Sequence, residues 1–292
     1  MVRKAYFSAA TFLSVVTLAG FSNAAEEGYL LRYQLQPGQQ LTYRIVHSAK
    51  TKVKINDTEE ASQVHTTSVR SLAVNEVDEE GVTTFAHTID SVVMTQQAGD
   101  QPEVRWDSSS DAEPPAQFRG VASKIGQVID TIEINARGQV LQRTGKDASS
   151  LGMGEIALPL PENRIQIGEN WSVPREIRVK DEAGTLKVIK IRELYTLEKV
   201  QAEVATISVR SEPLTPISDQ KMQSQLVQQL SKGTIQFHVG GGYVMKRRLD
   251  WQDNVVGFQG PASNMEYNAR LTEELTNEAF QSAKRATESS VR

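Results

Sequence analysis

Apolar and polar residues alternate with a period of two over most of this chain, the mark of half-buried strands. Tyr29–Leu35 is the first such run, with Tyr29, Leu31, Tyr33 and Leu35 on one face. Pro37-Gly38 turns the chain. The run from Leu41 to Ile55 then sets Leu41, Tyr43, Ile45, His47, Ala49, Thr51, Val53 and Ile55 against Thr42, Arg44, Ser48, Lys50, Lys52 and Lys54. Turns at Asn56-Asp57 and Asp78-Glu79-Glu80-Gly81 separate it from runs at about Ser62–Val77 and Val82–Thr95, the latter with Phe85, His87, Ile89 and Val93 on one side. Globular strands mostly run about 3–10 residues. Three successive longer runs predict a strongly twisted sheet, or strands broken by bulges. A curved half-barrel or open barrel suits them better than a compact sandwich.

Gln96–Pro115 loses the alternation and reads as a loop. Ala116–Ser123 reads as a short helical piece with Phe118, Val121 and Ala122 on one face. Gln127–Asn135 and Gln139–Arg143 form a hairpin across Ala136-Arg137-Gly138. A Gly- and Pro-containing linker follows, at 148–163. The strand pattern then restarts, with runs at Trp171–Lys180, Thr185–Val200 and Glu203–Ser211 joined by turns at Asp181-Glu182-Ala183-Gly184 and Gln201-Ala202. Ser218-Asp219 reads as a helix N-cap region. Met222, Leu226, Val227 and Leu230 make one helical stripe that Gly233 ends. Ile235–Val239 and Tyr243–Trp251 form a hairpin around Gly240-Gly241-Gly242, and Met265–Leu271 is a last strand.

The restart repeats an earlier segment. Leu35-Gln36-Pro37-Gly38-Gln39-Gln40-Leu41-Thr42 and Ile165-Gln166-Ile167-Gly168-Glu169-Asn170-Trp171-Ser172 both read apolar, Gln, any residue, Gly, two polar, large apolar, hydroxyl. Each opens a series of three strands, a helix and a hairpin. The expected fold is therefore all-β: long antiparallel strands in a curved half-barrel or open-barrel sheet, two β-β-β-helix-β-β pseudo-repeats at 25–147 and 164–271, and one or two short helices. A polar tail is expected at 272–292.

The first residues read as an export signal. Met1-Val2-Arg3-Lys4 is basic, Ala5–Phe21 carries no charge, and Ser22-Asn23-Ala24 offers small residues for a cut before Ala25. The uncharged run is diluted by Ser8, Thr11, Ser14 and Thr17, which disfavours a permanent membrane anchor. The expectation is a signal peptide over 1–24, with the mature chain soluble in the periplasm or outside the cell and without a transmembrane segment. The Gln166-x-Gly168-x-x-Trp171-Ser172 segment, the helix-then-hairpin unit with its central Gly and the leader together resemble a family of secreted bacterial proteins of unknown function. The resemblance spans nearly the whole mature chain and implies an internally duplicated all-β domain. The layout of long strands around a helix is also similar to the half-barrels of periplasmic lipoprotein carriers, a likeness of fold that does not transfer function.

Composition removes several chemistries. The net charge is −4 and no basic stripe with interleaved aromatics appears, so nucleic acid is not an expected partner. Cysteine is absent, which excludes thiol catalysis, disulfides and cysteine-held metals. The four histidines, His47, His65, His87 and His238, make no local metal pair. No G-x-S-x-G elbow is present, and Ser224 has no histidine near it in sequence. Asp107, Ser109, Asp111 and Glu113 alternate like calcium ligands, but Ala112 and Phe118 stand where such a loop needs Gly and Glu. Gly240-Gly241-Gly242 precedes a strand, not the helix of a phosphate loop. No catalytic residue, metal ligand or cofactor is assigned.

What remains is binding. Tyr43, His47, Phe85 and His87 are the candidates for lining an interior cavity, being polar or aromatic groups on apolar strand faces. The expected function is a non-catalytic exported envelope protein holding a lipid or other apolar or amphipathic ligand on a concave sheet face. The alternative is an envelope interaction or scaffold module that docks a protein partner through a sheet edge or the C-terminal tail. A hydrolase with dispersed residues ranks third.

Overall fold

The period-two pattern folds into one antiparallel sheet. The computed structural model describes residues 28–110, 112–145 and 157–276. The expected signal peptide, most of the expected linker and residues 277–292 lie outside the described residues. The first half holds β1 (Gln40–Ile55), β2 (Thr58–Val77) and β3 (Thr83–Ala98), a short β4 (Val104–Asp107) and a single 3-10 turn (Ala116–Phe118). It continues into α1 (Arg119–Ala122), β5 (Val128–Ile134) and β6 (Val140–Thr144). The second holds β7 (Asn170–Lys180), β8 (Leu186–Gln201), β9 (Val204–Pro213), α2 (Gln220–Leu226), β10 (Lys232–His238) and β11 (Tyr243–Val256). β12 (Ser263–Leu275) follows. The order is β6-β5-β3-β2-β1-β12-β11-β10-β9-β8-β7, with β4 paired to β3. Each half is thus a meander with its helix between the third and fourth long strands. β12, inserted between β1 and β11, fastens one half to the other.

The two copies of the sequence motif fold alike. Gly38 and Gly168 both take positive φ, 79° and 88°. Gly38 N–H donates to the Val74 carbonyl of β2, and Gly168 N–H to the Leu197 carbonyl of β8. In return Val74 N–H donates to Gln39 and Leu197 N–H to Glu169. Even the side chains correspond: Gln39 Oε1 accepts from Gln36 N–H, and Glu169 Oε2 from Gln166 N–H.

Several elements differ from the sequence expectation. Tyr29–Leu35 is not a strand. It is an extended strap with one bridge, Tyr29 to Ile165, and it crosses the inner sheet face so that Leu31 is fully buried. Its alternation records a strap with one buried edge, which strand periodicity cannot separate from a sheet member. Gln96–Pro115 is not all loop, since β3 runs to Ala98 and Val104–Asp107 folds back on it as β4. Gly233 does not end the helix. α2 stops at Leu226, and Gly233 sits in β10 where a Cβ would meet the Arg248 carbonyl oxygen at 1.9 Å. β12 continues to Leu275, so the first residues of the expected tail belong to the sheet.

The inner face is packed in sections. The strap and the segment 157–165 bring Leu31, Leu158, Leu160 and Ile165 against Leu197, Ile207, Ile235 and Phe237 of the second half. α2 covers the far end of the same strands, with Leu226 against Val179, Ile189 and Ile191, and Val227 against Val255, Tyr267 and Ala269. It therefore touches both β7 and β11, which have three strands between them in the sheet. Strands so separated can share one short helix only if the sheet curls. The two outermost strands show the same curl: Val140 and Arg143 of β6 line one depression with Trp171, Val173 and Pro174 of β7. No hydrogen-bonded ladder joins them, so the sheet is curved and unclosed. No described helix is long and apolar enough to cross a membrane.

The N-cap of α2 is Asp219, whose Oδ1 accepts from Met222 N–H at 2.9 Å. Asp219→Ala should cost about 1 kcal/mol, read as a lowered urea midpoint with unchanged slope.

Candidate functional site

β2 supplies the polar part of the inner face. Opposite Tyr43, Ile45, His47 and Ala49 of β1 stand Arg70, Ser68, Thr66 and Val64. Leu72 and Val74 continue the same face. Three successive inward polar side chains, Thr66, Ser68 and Arg70, therefore interrupt an apolar stripe.

β3 meets them through a bulge. Val69 pairs with Ser91 and Arg70 with Ile89, so Asp90 is the extra residue. The insertion lets both Ile89 and Val92 face inward. Asp90 is held on the other side, where its Oδ2 accepts from Ser71 Oγ at 2.5 Å. The α1 segment lies over this region, with Phe118 and Val121 packed beside Val92, Met94 and Trp106.

Between these elements is a cavity of about 80 Å³. Its walls are Ile45 of β1, Ile89, Val92 and Met94 of β3, Leu271 of β12 and Val121 of α1. Its polar floor is His47, Thr66, Ser68 and Arg70. Ser68 is 2% exposed, and its Oγ has no hydrogen-bond partner. Arg70 Nε is buried and likewise without a partner, and no described carboxylate pairs with this guanidinium. Burial pushes Arg70 down to about 10, against the opposing charge of Glu273. That glutamate stands 3.9 Å from Arg247. Burial also lowers His47 from its ordinary 6.5, helped by the charges of His65 and Arg70. The His47 ring meets Trp251 edge-on, with centroids 6.5 Å apart.

All four residues proposed from the sequence lie on this inner face, but they do not converge. His47 borders the cavity. Tyr43 donates its hydroxyl to the Val244 carbonyl at 2.8 Å, and burial raises it well above the usual tyrosine range. Phe85 packs with Ile132, Ile134 and Ala157. His87 pairs with Asp130. His47 stands opposite Thr66 and His87 opposite Leu72. At ~3.3 Å per residue along β2 the two histidines are about 20 Å apart. Thr66, Ser68 and Arg70 carry no sequence motif. Their signal was a polar interruption on the inward parity of β2, between Val64 and Leu72.

Larger depressions lie elsewhere. One of about 630 Å³ sits chiefly on the polar outer face, lined by Lys50, His65, Asp250 and Arg270 among others. It contains a cross-strand Ser48 Oγ–His65 Nδ1 contact of 2.7 Å. No described carboxylate pairs with His65, so the contact is not part of a triad. Among the described residues no group of three or more His, Asp or Glu side chains is placed to hold a metal. The inner cavity joins two buried, unpartnered polar atoms, Ser68 Oγ and Arg70 Nε, on one apolar-walled floor; the depression beside β6 and β7 has one, Arg137 Nε.

No protein-family model and no curated protein matches the chain. Among solved structures, one described as lipid–protein interactions in lipovitellin is similar over 84% of this chain at 8% identity, with a TM-score of 0.49. The match covers 26% of that protein, so this chain spans about a quarter of its length.

Proposed function

We propose that this chain is an exported, non-catalytic protein that binds an apolar or amphipathic ligand on the concave face of its first half. The observation that carries the reading is the cavity under α1. Its apolar wall is completed by a floor holding a buried hydroxyl and a buried guanidinium nitrogen without partners. A buried donor left unmade costs about 1–3 kcal/mol. A ligand that supplied the missing acceptor while burying its own apolar part would recover that cost. The cavity is small beside the few hundred Å³ typical of ligand sites. It is a headgroup site with room for a few carbons, and a longer chain must displace the short α1 segment.

Filling the cavity tests this. A neutral fluorescent probe, N-phenyl-1-naphthylamine, should bind the wild type and lose about tenfold or more in affinity in Val92→Phe. Val121→Asp, which makes the lid polar without enlarging the core, should show the same loss. Both variants are checked by thermal melting, and Val92→Phe is expected to fold with a cost of about 1–3 kcal/mol. Equal probe binding by wild type and both folded variants would overturn the reading.

A further inference from the structure

We infer that the ligand of this cavity is an anion, a carboxylate or phosphate group on an apolar body, and that Arg70 and Ser68 seat its charged end. This inference deepens the binding function proposed above and rests on it. Every polar group that β2 turns into the cavity can donate: two hydroxyls and a guanidinium. The site is thus rich in donors, and its guanidinium is buried at the Nε that a bidentate acceptor would use.

Arg70 is half-buried, with its Nε covered and unpartnered and no described carboxylate in ion-pair contact with it. Where water is excluded, such a cation is stabilised by a paired anion. The nearest candidate partner in the fold is Glu273. It makes no contact with Arg70 within ion-pair distance, and it stands close to Arg247 on the neighbouring strand. Solvent does not complete the shell of Nε, which is fully covered. A positive charge beside an apolar wall therefore has no contacting counterion among the described residues, and the cavity is where one fits. The wall selects against a fully hydrated ion. Ile45, Ile89, Val92 and Leu271 offer contact only to carbon.

The choice of headgroup can be separated from the choice of site. Wild type, Arg70→Met and Ser68→Ala are titrated by calorimetry with decanoate, decanol, decylammonium, acetate and inorganic phosphate, each protein first checked for a cooperative melt. Decanoate should bind wild type at least tenfold tighter than decanol or decylammonium. Arg70→Met should lose about tenfold or more for decanoate and little for decanol. Ser68→Ala should lose less, in the same direction. Arg70→Lys, which keeps the charge but not the fork, should restore part of the loss. Equal binding of decanoate and decanol, or decanoate binding unchanged in folded Arg70→Met, overturns the anion assignment while leaving the apolar site standing. Acetate or phosphate binding as tightly as decanoate supports the anion and overturns the apolar part of the proposed function. Absence of binding by every ten-carbon probe overturns both.

Discussion

Asp130→Ala should destabilise the fold by about 3 kcal/mol, the lower end of the cost of breaking a buried ion pair. Asp130 is buried between His87 and Arg143. Its Oδ2 accepts from Arg143 Nε at 2.7 Å, and its Oδ1 faces His87 Nδ1 at 3.1 Å. A carboxylate only accepts, so Nδ1 carries the proton of the neutral ring. Removing the carboxylate leaves that N–H buried without an acceptor. Arg143 is a third exposed and can turn to water, which keeps the cost at the lower end. Urea unfolding followed by tryptophan fluorescence measures it. A loss below about 1 kcal/mol would show that the network contributes little.

The same pair sets a pH dependence. His87 is 1% exposed, and burial lowers it to about 4 in the folded chain, outweighing the attraction of Asp130. In the unfolded chain it titrates near 6.5. Between these values the unfolded state holds more protons, so stability falls as pH drops from about 6.5 towards 4. The fall contributed by this group is at most about 3 kcal/mol. His87→Gln should flatten that part of the profile, so the difference between the two curves isolates the residue.

The sheet was legible in the sequence because its signal is local. Alternation marks each long strand whatever it pairs with, and the turn residues of Asp78–Gly81 and Asp181–Gly184 announce their own geometry. Asp78 Oδ1 accepts from Val82 N–H, and Asp181 Oδ1 from Thr185 N–H. What alternation cannot show is which partner covers a face. Tyr29–Leu35 has the pattern of a strand, yet its buried residues meet the sheet from above. His47 and His87 share a face, but their separation depends on the register of β1 and β3 against β2, which no local pattern contains. The bulge at Asp90 is equally silent, although it is what lets Ile89 and Val92 line one cavity. Thr66, Ser68 and Arg70 were visible only as polar residues on the wrong parity of a strand. Such an interruption acquires meaning once apolar neighbours are known to enclose it.

Gly138→Ala and Gly242→Ala should each cost about 2–5 kcal/mol, combining a left-handed backbone penalty with overpacking. Both glycines sit at hairpin turns, with φ of 73° and 66°. Both turns grip the strap. A Cβ on Gly138 would lie 2.3 Å from the Leu158 carbonyl oxygen and 2.5 Å from the Tyr33 ring. A Cβ on Gly242 would lie 2.1 Å from the Gln34 nitrogen. The strap is also held by its own bonds: Tyr33 N–H donates to Ala136, Gln34 N–H to Gly242, and the Tyr33 hydroxyl oxygen accepts from Leu158 N–H at 2.6 Å. Gly184→Ala is the control. Its φ is 81° and nothing lies within 4 Å of the added carbon, so it should pay only the backbone penalty, about 1–2 kcal/mol. In the two strap variants trypsin should cut after Arg32 well below the urea midpoint, and in the control it should not. If Gly138→Ala costs no more than Gly184→Ala, the strap is not pinned at that turn. If it is pinned, the strap explains where the site lies. It fills the concave face of the second half with Leu31, packs Tyr33 and Leu35 on first-half residues such as Phe85 and Leu41, and leaves Ser68 and Arg70 outside those contacts.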